Sequence, residues 1–433
     1  MTTQTLIDLN RECFCFPIDR AQIDAAILKS CSKQDQAAMA RILQQREHYF
    51  AQTPVFVAHN EMMAMQAQIT AIEQVVKMPA FRRAVFARDA TRFSRSQGNT
   101  CGVFLGYDFH LTQSGPCLIE INTNAGGAFV TRALEQTINT HRPDSDARIV
   151  DMFVTEWHLA GRVGRPKTLA IVDDKPLTQY HYPDMYLAAE VLRSEGFQVY
   201  IADPSELRFV CSKLQLNGVD IDLVYNRLTD FGLTDPSSKA LLDALAANAA
   251  VITPSPRHHA LFADKRNLVM LSDAAQLTEW DVPQSVRQSL ANIPAALEVT
   301  PNNAVTLWQQ RRNYFFKPRA GFGSRGSYRG AKLTKKVWQQ IVEGGYIAQR
   351  FIAPPLRAIT RETGPTALKF DIRVYGYAGR DPSPTNSRSD EPPPLLMAAR
   401  VYQGQTTNLR TAGGGLSPVI VGPPDGQVLR CNG

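Results

Sequence analysis

The sequence predicts an α/β protein with α+β lobes, and three observations carry the prediction. Between Thr168 and Pro254, short apolar strands alternate with helical stretches, the pattern of a parallel sheet with helices on its faces. Between Gly106 and Asn122, two strand-like runs flank Gly115-Pro116, the pattern of a hairpin. Residues 1–100, ahead of both, carry apolar residues at helical spacing. A chain of 433 residues exceeds one compact core and divides into lobes.

Residues 1–100 read as a mainly helical N-terminal region. Ile23, Ala26 and Ile27, then Ala37, Met39, Ile42 and Leu43, recur at helical spacing, and Pro17 and Pro54 punctuate. Met62, Met63, Met65, Ile69 and Ile72 give an apolar face suited to core or interdomain packing. Arg92 and Arg95 fit a solvated helix end; holding a substrate carboxylate is the alternative.

Residues 101–135 hold the hairpin. Leu118, Ile119 and Ile121 supply a half-buried strand, so Glu120 and Asn122 project from one face. Asp108 on the preceding strand reaches that face in the obvious register. Asp, Glu and Asn offer hard oxygen ligands, which suit Mg²⁺ held between protein and nucleotide phosphates. Asn124-Ala125-Gly126-Gly127 then leaves room for a substrate. The plainer reading is a hairpin whose acids face water.

Residues 136–257 form the α/β module. A helix from Thr131 to Ala160, interrupted near Pro143, leads into it. Strands follow at 168–173, 197–203, 219–226 and 251–254, with helices at 183–194 and 237–249 between them. No Gly-x-Gly-x-x-Gly follows the first strand, which speaks against a Rossmann dinucleotide site. Asp173, Tyr180, Asn226 and Arg227 stand at strand ends, where α/β sheets bind ligands. Each also fits a cap or turn.

Residues 258–355 are the most basic part. Adjacent His258 and His259 point to opposite sides of an extended chain and make a poor chelate. Asp264-Lys265 opens a helix. Asn313 to Lys317 reads as a strand, followed by a glycine-rich loop that includes Gly321, Gly323, Ser324 and Gly326. Such glycines let backbone N–H groups approach phosphate oxygens. The Gly-Lys-Ser/Thr ending of a P-loop is absent. Gly345 to Ile352 is a further strand running into Pro354-Pro355.

Residues 356–433 supply strands at 369–377 and 395–402, joined through a Pro-, Ser- and Asp-rich hairpin tip at 381–394. Asn408, Arg410 and Gly413-Gly414-Gly415 follow.

These motifs, in this order, resemble the ATP-grasp superfamily, in particular glutathione synthetase and the glutamate-adding carboxylate–amine ligases. Asp108, Glu120 and Asn122 fall on its three metal positions. The family usually places that hairpin near its C-terminal end. Here it lies in the first third of the chain, as in eukaryotic-type glutathione synthetases, so the resemblance implies a circularly permuted ATP-grasp fold with a preceding parallel-sheet module. It further implies that Lys265 and Lys317 bind ATP beneath a lid bearing Gly321, Gly323, Ser324 and Gly326. Gln349 and Ile352 fall on the adenine hinge. Arg400, Asn408 and Arg410 face the phosphates and the acyl phosphate as the catalytic set. Gly321 stands near a position that carries a third metal-binding acid in eukaryotic-type glutathione synthetases. No glutamylcysteine-binding arginine is recognisable near Gly106, which speaks against glutathione synthesis itself.

Composition narrows the classes. The apolar fraction of 44% is ordinary for a globular protein, and no run approaches the ~20 apolar residues of a membrane span. The N-terminus lacks the pattern of a secretory signal. Seven cysteines, with Cys13 and Cys15 too close for Cys-x-x-Cys, argue for reduced thiols and a cytoplasmic setting. The formal charge is +7 and the pI about 9.0. The surplus gathers at 311–336 without an aromatic or zinc-finger motif, which fits ATP better than nucleic acid.

The reading is therefore an ATP-dependent carboxylate–amine ligase. ATP and Mg²⁺ are the expected cofactors, with Mn²⁺ as the alternative ion. Small-molecule or peptide carboxylates and amines are the expected substrates; no nucleic-acid or membrane partner is expected. A homodimer stays open. An ATP-grasp kinase and a non-catalytic nucleotide-binding module are the alternatives.

Overall fold

The computed structural model describes residues 3–12, 18–88, 98–138, 140, 144–321, 323, 325–361, 364–379 and 395–422. Arg92, Arg95, Cys13, Cys15, Ser324 and the tip at 381–394 lie outside them. The N-terminal region holds helices Thr3–Glu12, Arg20–Lys29, Gln36–Gln44, His59–Lys77 and Pro79–Ala87. Asp19 caps the second, its carboxylate accepting from Ala21 N at 2.8 Å. Within this mainly helical stretch lies a strand that periodicity does not reveal, β1 (Val55–Val57). Three apolar residues after Pro54 are too few for either period to register. The hairpin follows as β2 (Leu105–Thr112) and β3 (Gly115–Asn122). Gly115 takes φ +105 at its turn, a conformation that favours glycine.

The interrupted helix is two helices, Ala128–Thr137 and Ser145–Leu159. The α/β module then runs through β4 (Thr168–Val172), helix Tyr182–Ser194 and β5 (Gln198–Ala202). A small meander of β6 (Leu207–Val210), β7 (Lys213–Leu216) and β8 (Val219–Asp220) interrupts it. β9 (Leu223–Asn226), helix Lys239–Ala246 and β10 (Val251–Thr253) complete it. The sheet order is β10-β9-β4-β5, all parallel, as the alternation predicts. The expected strand at 219–226 is split: its first residues pair with the meander and only Leu223–Asn226 enters the parallel sheet.

A second lobe consists of β11 (Ala296–Glu298), β12 (Tyr314–Pro318), β13 (Tyr328–Arg329) and β14 (Tyr346–Arg350), in the antiparallel order β11-β14-β12-β13. Helix Lys335–Glu343 packs Ile341 and Trp338 against Phe316 and Ala348.

The chain closes with β15 (Leu356–Arg361), β16 (Gly364–Gly376), β17 (Leu396–Tyr402) and β18 (Gly415–Val421). These join the early strands in one sheet of order β1-β18-β17-β16-β2-β3, with β15 on β16. The antiparallel β2–β16 ladder, Asp108 opposite Arg373, is the long-range pairing expected of the early hairpin with the strands at 369–377. One face of the sheet is core. Phe370, Ile372, Val374, Tyr107, Phe109 and Leu118 pack in one cluster with Met65, Ile69, Ile72 and Val75 of helix His59–Lys77. Each fully buried aliphatic or aromatic side chain there contributes about 1.5–3 kcal/mol. The other face carries polar and charged side chains, among them Asp108, Asp371, Arg373 and Arg400.

Candidate functional site

Strand alternation builds the polar face. On β16, Asp371, Arg373 and Tyr375 alternate with the apolar set. Across the ladders Asp371 stands opposite Arg400, Arg373 opposite Asp108, and Asp108 opposite Glu120. The register shifts between Asp108 and Phe109, so Ile119 has no partner. Its carbonyl accepts from Lys317 Nζ at 2.6 Å, which ties the hairpin to the second lobe.

Asp108 is the most engaged group on this face. Its carboxylate accepts from Arg373 Nε at 2.7 Å and Nη2 at 2.8 Å, from Arg400 Nη2 at 2.7 Å and from Asn122 Nδ2 at 2.9 Å. Burial pushes its pKa up, but the two guanidiniums outweigh that and hold it below the usual carboxylate value. Arg400 also donates through Nε to Asp371 at 2.6 Å, whose other oxygen accepts from Thr407 at 2.7 Å.

The two lysines come from different elements and reach neighbouring residues of β3, Lys265 at Glu120 and Lys317 at the Ile119 carbonyl. Lys265 Nζ lies 3.3 Å from Glu120 Oε1 and 3.1 Å from the Gly321 carbonyl. Lys317, buried on β12, donates to Gln349 Oε1 at 2.8 Å. Burial lowers the Lys317 pKa to about 8, against the pull of Glu120.

Two clefts open on either side of this cluster. The first is lined by Glu120, Lys317, Gln349, Phe351, Ile352 and Tyr402, among others, with Lys369 and Thr407. His110 reaches across its floor, with Nδ1 3.0 Å from the Ile352 carbonyl. Burial lowers the His110 pKa to about 4, so the neutral ring donates that bond. The second cleft is lined by Asn122, Asn124, Asp173, Arg373, Arg400 and Arg410, with Tyr180, His181, Arg227 and Asn408.

The second cleft is held by buried ionic contacts. Asp184 accepts from the N–H groups of Gly127 at 3.0 Å, Phe129 at 2.8 Å and Val130 at 3.2 Å, at the start of helix Ala128–Thr137. Arg227 Nη1 pairs with it at 3.0 Å. A Cβ at Gly126 would lie 2.7 Å from Arg227 Nη2, so that loop residue must be glycine for the guanidinium to pack there. The N-terminal region braces the far wall. Arg46 donates to the carbonyls of Tyr180 at 2.9 Å and Gln179 at 2.8 Å, and the Tyr49 hydroxyl lies 3.1 Å from His181 Nδ1. Burial lowers the His181 pKa to about 4. Arg410 stacks over Tyr180, 4.4 Å from the ring centre.

Asp108, Glu120 and Asn122 thus share one face, but both Asp108 oxygens are engaged by guanidinium donors. Glu120 has only Lys265 as a close cation, and Asn122 Oδ1 has no hydrogen-bond partner among the described residues. Those two hard oxygens fit Mg²⁺ that takes its remaining ligands from phosphates and water. No group of three or more His, Cys, Asp or Glu that would hold a metal occurs among the described residues. Of the lid glycines, Gly321 accepts from Lys265, Gly326 takes φ +68 beside the Tyr346 hydroxyl, and Gly323 lines the second cleft rather than the first. Asn408 caps its own turn, accepting from Arg410 N at 3.0 Å. Asn226 ends β9, donating to Pro254 O and accepting from Leu228 N. Asp173 lines the second cleft, and burial raises its pKa to about 6. His258 is buried on Ser255 and Thr100, while His259 stacks on Phe231. Sequence reasoning named neither Arg373 as a site residue nor Asp184, Arg46 or His181. The alternation of β16 pointed to Arg373; nothing local marked the other three. No described helix is long and apolar enough to cross a membrane.

Comparison with solved structures places this fold. A glutathione synthetase like-effector from Globodera pallida, in apoform, aligns over 91% of this chain and 99% of its own, with TM-score 0.53 and 10% identity. A putative gamma-glutamylcysteine synthetase from Methylobacillus flagellatus aligns over 83% and 87%, with TM-score 0.49 and 10% identity. D-alanyl-alanine synthetase A from Vibrio cholerae aligns over 59% and 88%, with TM-score 0.29 and 12% identity. No family model matches the sequence, and no curated protein matches it. The first likeness shows the fold alone: the chain has the α/β architecture of a glutathione synthetase-like chain, an ATP-grasp-like fold.

Proposed function

We propose that this chain is an ATP-dependent carboxylate–amine ligase that works through an acyl phosphate. One observation carries the reading: from separate elements, Lys265 reaches Glu120 and Lys317 reaches the adjacent Ile119 carbonyl, Glu120 and Lys317 line the first cleft, and the second cleft is lined by arginines. A triphosphate needs cations at its oxygens, and an acyl-transfer centre needs donors where negative charge develops. The fold likeness agrees with this chemistry and speaks to fold alone.

In this reading the first cleft takes ATP. The backbone and apolar side chains of Gln349 to Ile352 hold the adenine, and the two lysines neutralise the phosphates. Glu120 and Asn122 would hold Mg²⁺, or Mn²⁺, with Asp108 behind them. The bound ion would draw charge from the phosphate oxygens. The second cleft takes the carboxylate and the amine. A carboxylate oxygen attacks the γ-phosphorus, and the bond to ADP breaks. The amine nitrogen then attacks the acyl carbon, phosphate leaves, and the amine loses a proton. Arg400 and Arg410 balance the charge of the intermediate, and Asn408 holds the Arg410 backbone. His181, kept neutral by burial, and Tyr180 line this cleft beside Arg410.

The test is a screen for ADP release with carboxylates and amines supplied singly and in pairs. Release that needs both supports the ligase. Release with a hydroxyl compound alone, giving a stable phosphate ester, indicates a kinase instead.

A further inference from the structure

We infer that Asp108 acts as the anchor of a two-arginine anion clamp rather than as a metal ligand. The inference rests on the ligase reading of the site but assigns Asp108 and Arg373 roles that reading does not. Arg373 and Arg400 each spend the Nε and Nη2 edge of the guanidinium on carboxylates: Arg373 on Asp108, and Arg400 on Asp371 and Asp108. Nη1 of neither has a hydrogen-bond partner among the described residues, and both residues line the second cleft. One buried carboxylate thus turns two guanidiniums side by side, with matching edges fixed and matching donors left over. That is the arrangement for an oxyanion, which accepts from both. Asp108 is spent chiefly on cations already present: Oδ2 accepts from Arg373, Arg400 and Asn122, and Oδ1 from Arg373 Nε.

Gly106 makes the arrangement possible. It lies opposite Asn122, next to Asp108 on the same face of β2. A Cβ there would stand 3.2 Å from Arg373 Nε and 2.9 Å from the Ala125 Cβ. The empty place is filled by a guanidinium from the neighbouring strand. Arg373 is therefore assigned as a substrate-binding residue for the anionic end of the acyl phosphate, and Asp108 as its positioning residue.

Two probes separate this role from metal ligation. Inorganic phosphate, titrated calorimetrically into protein holding Mg²⁺ and ADP, reads the clamp. Mn²⁺ binding in the presence of ADP, read by paramagnetic resonance, reads the metal site. Asp108→Asn should weaken phosphate about tenfold or more and leave Mn²⁺ within about twofold. Glu120→Gln should do the reverse. Since Asp108→Asn leaves the buried Arg373 without a carboxylate and Arg400 with Asp371 alone, and can fail to fold, Arg373→Lys provides the second arm. It keeps the charge, loses the fork, and should also weaken phosphate about tenfold. Competition by acetate assigns the clamp to the carboxyl end of the intermediate, and indifference to acetate assigns it to the phosphoryl end; either supports a clamp. A tenfold loss of Mn²⁺ affinity in Asp108→Asn with phosphate unchanged would overturn the inference, as would wild-type phosphate binding in Arg373→Lys. Absence of Mn²⁺–ADP binding in the wild type would instead count against the ligase reading, leaving the phosphate result to stand by itself.

Discussion

Lys265 Nζ and Glu120 Oε1 lie 3.3 Å apart, a lysine that precedes helix Arg266–Leu271 meeting a glutamate of the hairpin. Under the proposed function each would gain a further partner in the nucleotide complex: the lysine a phosphate oxygen, the glutamate a metal ion.

Glu120→Gln keeps the shape of the side chain and removes its charge. Turnover should fall at least about a hundredfold while the folded state persists, the scale of losing a principal electrostatic stabiliser. Turnover and thermal unfolding measured side by side check this. Near-normal activity at saturating Mg²⁺ would make Glu120 a bystander.

Lys317 predicts the pH dependence of nucleotide binding. Burial holds its pKa near 8 rather than the ordinary 10.5. A bound triphosphate favours the charged ammonium and raises that pKa. At about pH 9, ATP binding should therefore take up a proton, and affinity should fall as the pH rises through about 8. At about pH 7 the ammonium is already charged, and uptake by this group vanishes. Calorimetry in buffers of different ionisation enthalpy measures the difference. Equal proton uptake at both pH values would contradict the assignment.

Much of this architecture was legible because strands and amphipathic helices repeat. The parallel order β10-β9-β4-β5 follows from the alternation between Thr168 and Pro254, and the polar face of β2 and β3 follows from period two. What stayed hidden depends on partners far along the chain. Arg373 looked like one residue of a strand until Asp108, 265 positions away, came opposite. β1 is three residues long and declares itself only by pairing with β18. Asp184 reads as an ordinary acid in the first turn of a helix. Its actual task, at the start of a different helix, has no local signature. The paired lysines were visible as motifs; their approach to adjacent residues of β3, Glu120 and Ile119, was not.

Asp184 makes the stability prediction. It is fully buried, holds three backbone N–H groups and pairs with Arg227. Asp184→Ala leaves a buried guanidinium and a helix start without their acceptor, and should cost about 3–5 kcal/mol. Asp184→Asn keeps one acceptor oxygen and should cost less. Denaturant midpoints give both values. A loss under about 1 kcal/mol for the alanine variant would show that water replaces the carboxylate freely.

The acyl phosphate is the centre of the account, and isotope transfer tests it most directly. A carboxylate that supports ADP release is supplied with ¹⁸O in both carboxyl oxygens, together with ATP, Mg²⁺ and its amine. The account predicts that one labelled oxygen passes to the released phosphate, and that hydroxylamine in place of the amine yields a hydroxamate. Unlabelled phosphate alongside the amide, or a stable phosphorylated product and no hydroxamate, would contradict it.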